Sequence, residues 1–179
     1  MRPNILVIAG HDPSGGAGIH ADIEAIQSTG GFASTLITAL TVQNSRKVSS
    51  FQLTPLELLE QQADALLADY EFQAVKIGMT GSVATVEWIA RLLARLPGVP
   101  VVLDPVLAAE SGGSLAQGDL NEALMDRVAP QATVLTPNLP EAGQLSGETG
   151  VAEAGAALTR RCGRAVLVTG THDDTDQVA

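Results

Sequence analysis

The sequence predicts an α/β protein, a three-layer αβα sandwich on a mostly parallel sheet, and three observations carry that expectation. Short aliphatic or β-branched runs alternate with longer amphipathic stretches through most of the 179 residues. Aromatic residues make up only 3% of the chain while apolar residues reach 45%, so the interior is built from Ala, Val, Leu and Ile, as suits strands covered on both faces. Segments of helical length separate the runs, which implies right-handed crossovers and parallel pairing.

The first run, Asn4 to Ala9, precedes a glycine-rich stretch and an amphipathic pattern over Ala17–Thr29. The second, Thr35 to Val42, precedes a pattern over Pro55–Ala68, in which Leu56, Leu59, Gln62, Ala63, Leu66 and Leu67 recur at helical spacing. Ala74 to Ile77 is followed by Ser82–Leu96, and Val101 to Leu103 by Leu120–Val128. Thr133 to Leu135 leads into Leu139–Arg161, broken at Gly147–Gly150. The sixth run, Ala165 to Val168, passes into Gly170-Thr171-His172 and then an acidic stretch from Asp173 to the last residue, Ala179. A buried parallel strand is ordinarily covered by a following helix. None follows here, so the pattern suggests one domain over residues 1–179 whose sheet is incomplete at its C-terminal end. No repeat, low-complexity segment or linker interrupts it.

The formal net charge of −10 argues against nucleic acid or an anionic membrane as partner, because phosphate backbones are held by basic surface. Arg160, Arg161 and Arg164 read as the exposed end of a helix. An anionic ligand would have to be held locally, by backbone N–H groups, helix ends and metal. No apolar stretch reaches spanning length, and Met1-Arg2-Pro3 leads directly into a strand rather than a secretory peptide. Cys162 is the single cysteine; it forms no internal disulfide and reads as an inert buried thiol, and a reducing cytoplasm is the expected compartment.

In an open parallel sheet, ligands bind beyond the C-terminal ends of the strands. There the sequence concentrates Gly10-His11-Asp12-Pro13-Ser14-Gly15-Gly16-Ala17-Gly18, Gln43-Asn44, Gly78-Met79-Thr80-Gly81, Asp104-Pro105-Val106, Thr136-Pro137-Asn138-Leu139-Pro140-Glu141 and Thr169-Gly170-Thr171-His172. Glycines allow close backbone approach, and carboxylates and amides are what a metal–phosphate site needs. Gly16-Ala17-Gly18-Ile19-His20-Ala21 fits the dinucleotide pattern G-x-G-x-x-A, but its acidic companion is missing, since the second strand ends in Gln43. No G-x-x-x-x-G-K-[ST] is present, and the stretch also reads as a plain strand-to-helix turn. Asp104 is either a metal–phosphate residue or the cap of the next turn. Asn138 and Glu141, three apart at a helix start, fit a phosphate site and equally fit ordinary N-cap chemistry. His11 lies in the promising first loop, whereas His20 and His172 read as solvent-facing or backbone-satisfying.

Five of these segments resemble, in order, the motifs of the hydroxymethylpyrimidine/phosphomethylpyrimidine kinases of the ribokinase-like superfamily. They are Ala9–Ile19, Thr38-Ala39-Leu40-Thr41-Val42-Gln43-Asn44, Val75-Lys76-Ile77-Gly78-Met79, Leu103-Asp104-Pro105-Val106 and Thr136-Pro137-Asn138-Leu139-Pro140-Glu141-Ala142. The resemblance runs to about His172. It implies phosphorylation of 4-amino-5-hydroxymethyl-2-methylpyrimidine and then of its monophosphate by ATP with Mg²⁺, in thiamine biosynthesis. It implies further that Gly10, Gln43, Met79 and Val106 line the pyrimidine pocket, with Gln43 bonding the ring's polar edge. Asp104, Asn138 and Glu141 would lie at the Mg²⁺ and ATP phosphates, Thr169 and Gly170 would be nucleotide-binding candidates, and the enzyme would be a cytoplasmic homodimer. Two departures stand out. The family often has Lys-Gly-Gly-His where this chain has Thr169-Gly170-Thr171-His172, and its later Gly-Thr/Ser-Gly-Cys anion-hole loop has no counterpart here. No catalytic residue is therefore assigned, and the fragment is expected to be inactive by itself. A pyridoxal kinase-like enzyme is the nearest competing reading, a non-catalytic pyrimidine-binding module a second, and an NAD-binding oxidoreductase a third, disfavoured by Gln43.

Overall fold

In the middle of the sheet Val7 pairs with Thr35 on one side and with Lys76 on the other, and Lys76 pairs in turn with Val102. The computed structural model describes residues 2–107 and 114–170. Seven strands form its single sheet: β1 Asn4–His11, β2 Phe32–Gln43, β3 Val48–Leu53, β4 Ala74–Ile77, β5 Val101–Leu103, β6 Val134–Leu135 and β7 Ala165–Val166. Their order is β3-β2-β1-β4-β5-β6-β7, and every pairing is parallel except β2 with β3.

The helices are α1 Gly18–Ser28, α2 Leu56–Asp69, α3 Val83–Leu93, α4 Ser114–Ala123, α5 Leu139–Ser146 and α6 Val151–Cys162. A π turn at Leu124–Val128 and a 3₁₀ turn at Ala129–Gln131 continue α4. Side chains alternate across β1. Leu6 and Ile8 enter a large core with Leu59 of α2, Val86, Trp88 and Ile89 of α3 and Leu158 of α6. Val7 and Ala9 enter a small core with Ile19 of α1. Helices thus cover both faces, as near-continuous aliphatic strands require. Local chemistry fixes the helix ends: the Ser82 hydroxyl accepts the Thr85 N–H at 3.1 Å, capping α3.

Strand β3 is not among the six runs that the sequence predicts. Its residues, Val48-Ser49-Ser50-Phe51-Gln52-Leu53, are too polar to stand out as a buried strand. The preceding turn recruits it: Asn44 Oδ1 accepts the N–H groups of Arg46 at 2.9 Å and Lys47 at 3.2 Å, folding the segment back antiparallel onto β2. Other boundaries move modestly. β2 starts at Phe32, α4 starts at Ser114, and β7 ends at Val166, although the ladder continues with the Leu167 N–H donating to the Leu135 carbonyl at 2.8 Å. His172 lies outside the described residues.

Candidate functional site

Backbone hydrogen bonds carry the sheet a little past its strands. The N–H groups of Gly78, Asp104, Thr136 and Thr169 donate to the carbonyls of Ile8, Ile77, Leu103 and Pro137 at 2.8–2.9 Å. The segments that follow the parallel strands therefore reach one edge in register. Over β1, β2, β4 and β5 this edge opens into a cavity of about 400 Å³ whose lining includes Gly10, Gln43, Met79, Val106 and Asp104. Close packing builds its wall. A Cβ at Gly10 would stand 3.1 Å from the Met79 sulfur, and the Thr38 hydroxyl donates to the Met79 carbonyl at 2.6 Å. Phe51 and Val48 of β3 add an apolar side that the sequence reading lacks.

The first loop is ordered by Asp12, which is only 5% exposed. Asp12 Oδ1 accepts both the N–H and the hydroxyl of Ser14 at 2.7 Å. The Asp12 carboxyl is held down at about 2, first by a hydrogen bond from the Gln43 side chain and then by Ser14 and the Ala17 N–H, with burial opposing them. The Asp12 carbonyl receives His20 Nδ1 at 2.8 Å, and because a carbonyl only accepts, Nδ1 carries the proton. His20 thus satisfies a backbone group, as its position suggests, while stacking obliquely on His11 with ring centres 5.1 Å apart. The loop closes at Gly18, where φ is +56° and a Cβ would overlap the Gly10 carbonyl oxygen.

Beneath the cavity lies a chain of charges. Lys76 Nζ on β4 sits 2.9 Å from Asp22 Oδ1 on α1 and 3.3 Å from Asp104 Oδ2 beyond β5. All three residues line the cavity. Asp104 thus stands at the rim beside a cation, with its side chain about a third exposed.

Asn138 and Glu141 are not among the residues lining this cavity. They form a capping box at the start of α5: Asn138 Oδ1 accepts the Glu141 N–H at 2.8 Å, and Glu141 Oε2 accepts the Asn138 N–H at 2.9 Å. Thr169 bridges to Asn138, and Gly170 follows it. Asn138, Glu141, Thr169 and Gly170 therefore gather beside one another at the β6–β7 end of the edge. Cys162 is buried, 6% exposed.

The phosphomethylpyrimidine kinase family model matches residues 12–179. The chain belongs to that family. The hydroxymethylpyrimidine/phosphomethylpyrimidine kinase of Haemophilus influenzae is 37% identical to it over 178 residues, covering 97% of this chain and 66% of the relative. The chain therefore spans just under two thirds of that relative's length. Among solved structures, phosphomethylpyrimidine kinase from Clostridium difficile 630 superposes with a TM-score of 0.83 at 32% identity, over 98% of this chain and 78% of that one. The pyridoxal kinase from Staphylococcus aureus in complex with AMP-PCP and pyridoxal gives 0.85 at 28% identity, over 99% and 66%. The mostly parallel sheet with its helices is thus the ribokinase-like kinase architecture, and the sheet edge described above belongs to a kinase family.

The family motif Val75–Met79 contains Lys76 but assigns it no role, and Asp22 lies outside every motif. The signal for Lys76 was present: a lysine inside the four-residue aliphatic strand Ala74–Ile77 is out of place without a partner. Asp22 had a weaker one, lying one turn after Gly18 and so on the helix face that meets the strand ends.

Proposed function

We propose that this chain supplies the substrate side and part of the nucleotide side of a kinase acting on 4-amino-5-hydroxymethyl-2-methylpyrimidine and then on its monophosphate, with ATP as donor, in thiamine biosynthesis. The observation that carries the proposal is the convergence of Gly10, Gln43, Met79 and Val106 on one cavity with Asp104 at its rim. In this reading Gln43 pairs with the polar edge of the pyrimidine, while Met79, Val106 and Phe51 sandwich its apolar faces. Asp104, Asn138 and Glu141 face Mg²⁺ and the ATP phosphates, and Thr169 and Gly170 contact the nucleotide.

The residues fit such a metal. Asp104 is an accessible carboxylate at a strand end, and among the described residues no group of three His, Cys, Asp or Glu forms a protein-only metal cage. An ion bound through one or two carboxylates plus phosphate oxygens and water is the usual Mg²⁺ arrangement. Mg²⁺ there supplies neutralisation of the phosphate charge that builds during phosphoryl transfer. Asp104 holds its place through Lys76, and Asn138 and Glu141 hold theirs through the capping box.

A pyridoxal kinase-like activity is the second reading, favoured by the likeness to the Staphylococcus aureus enzyme. Incubation with ATP, Mg²⁺ and either the hydroxymethylpyrimidine or pyridoxal, followed by mass analysis of products, separates the two. Joined to the anion-hole loop that the family carries, the chain is expected to add one and then two phosphoryl groups to the pyrimidine, whereas by itself it is expected to be inactive; turnover of pyridoxal alone would overturn the first reading. Calorimetric titration of each ligand without ATP gives the binding preference independently of turnover. The proposal includes a cytoplasmic homodimer with neither nucleic acid nor membrane as partner, and light scattering of the purified protein tests the dimer. Among the described residues no helix is long and apolar enough to cross a membrane.

A further inference from the structure

We infer that Lys76 recognises the phosphate of a phosphomonoester in the cavity, and so sets the preference between the pyrimidine alcohol and its monophosphate. The inference rests on the pyrimidine reading above. It starts from a misfit. Lys76 lies on the central strand, paired with Val7 and Val102, and its side chain is only 22% exposed. A valine would serve the sheet better there, because a lysine loses hydration and side-chain freedom on burial.

A structural ion pair needs one carboxylate, and Lys76 has two, Asp22 at 2.9 Å and Asp104 at 3.3 Å. Asp22 Oδ2 is moreover buried with no hydrogen-bond partner among the described residues. The cluster carries excess negative charge and one unsatisfied oxygen, which is a poor arrangement for stability alone. It makes more sense as a holding position for an ammonium that changes partners.

The cavity explains the need. Among the described residues its lining includes three carboxylates, Asp12, Asp22 and Asp104, against one lysine and no arginine. A neutral alcohol can enter such a site without penalty. A phosphomonoester, carrying about −1.5 to −2 charges at neutral pH, meets repulsion from all three and attraction from Lys76. Glycine at position 78 keeps the ammonium accessible, because a Cβ there would stand 3.1 Å from Lys76 Nζ. Asp22 competes with the phosphate for the same ammonium and therefore tempers the preference.

The test is calorimetric titration of the protein with 4-amino-5-hydroxymethyl-2-methylpyrimidine and, separately, with its monophosphate, in the absence of nucleotide. Lys76→Met should lower the monophosphate-to-alcohol affinity ratio by about tenfold or more, given the strength of a close charge pair at intermediate dielectric. Lys76→Arg keeps the charge and should retain most of the ratio. Asp22→Asn, nearly isosteric, should raise it by removing the competing charge, and this variant keeps the inference testable if Lys76→Met folds poorly. Equal changes for both ligands in Lys76→Met, or a lower ratio in Asp22→Asn, would overturn the role of Lys76 while leaving the pyrimidine reading standing. Failure of the unaltered protein to bind either ligand would overturn both.

Discussion

The two ends of the functional edge use similar residues in different ways. Over β1, β2, β4 and β5, glycines, an amide and carboxylates surround a cavity, and polar contacts join separate segments: the Thr41 hydroxyl of β2 donates to the His11 carbonyl at the end of β1 at 2.8 Å, and Lys76 ties α1 to the end of β5. Over β6 and β7 the side chains of Asn138 and Glu141 serve their neighbours in sequence. Asn138 and Glu141 cap each other's backbone, and Thr169 extends the ladder onto Pro137. A polar residue at a strand end is thus only a candidate. What distinguishes the first region is that contacts such as those of Lys76 with Asp22 and Asp104 join separate segments around a space that a ligand can fill.

The comparison breaks most visibly at its glycines. At Gly18 an added Cβ would collide with backbone and φ is +56°, whereas at Gly147, with φ +77°, nothing lies within 4 Å. Gly18→Ala should destabilise the protein by about 3 kcal/mol and abolish pyrimidine binding, since strain and overpacking act together on the loop. Gly147→Ala should cost about 1 kcal/mol through backbone strain alone and leave ligand binding intact. Urea unfolding and calorimetry on both variants decide it; similar losses from the two would mean that the first loop is no more tightly constrained than an ordinary helix end.

Gln43→Ala should follow in size. A ligand edge left unpaired in the cavity costs about 1–3 kcal/mol of binding, while nucleotide binding should be nearly unchanged. Equal losses for pyrimidine and nucleotide would remove Gln43 from its assigned place.

These two regions also show why the sequence was legible in part. Six of the seven strands stood out because aliphatic runs in an aromatic-poor chain have few other uses, and the C-terminal edge followed from parallel topology. β3 escaped because its strand character comes from pairing with β2 and not from its own polar residues. Residue by residue, the family motifs brought Gly10, Gln43, Met79, Val106 and Asp104 to one cavity, yet spacing could not separate Asn138 and Glu141 as helix caps from the same residues as phosphate ligands. The two roles use the same side chains at the same spacing. Lys76 and Asp22 were hidden for another reason: their importance lies in a contact between a helix and a strand 54 positions apart, which no local pattern contains.

Asn138 sharpens the comparison at an intermediate scale. Asn138→Ala should cost about 1 kcal/mol of stability through the lost cap, whereas Asn138→Asp should cap nearly as well. If Asn138 also faces the ATP phosphates, Asn138→Asp should weaken nucleotide binding in Mg²⁺ while leaving thermal stability close to that of the parent. Unchanged nucleotide affinity in both variants would reduce the β6 end to helix-start chemistry and leave Asp104 as the phosphate-side residue supported by its position at the cavity rim.

The smallest expected effect concerns the ionisation of the first loop. Asp12 is held at about 2 in the folded protein, below its ordinary value of 3.8, chiefly by the Gln43 side chain. Between those two values the unfolded chain binds more protons than the folded one, so stability falls as the pH falls. The contribution of Asp12 is complete above about pH 4 and is lost as the pH drops toward 2. Other carboxylates titrate nearby, so the informative quantity is a difference. Urea midpoints measured from pH 5 to pH 2 should decline more steeply for the parent than for Asp12→Asn, which cannot ionise. Gln43→Ala removes the largest of the interactions holding the carboxyl down, so the decline in that variant should narrow toward pH 4. Parallel curves for all three proteins would show that the Asp12–Gln43 contact does not bias the ionisation. The link between the Gln43 amide and the order of the first loop would then fail, and with it part of the contrast between the two ends of the edge.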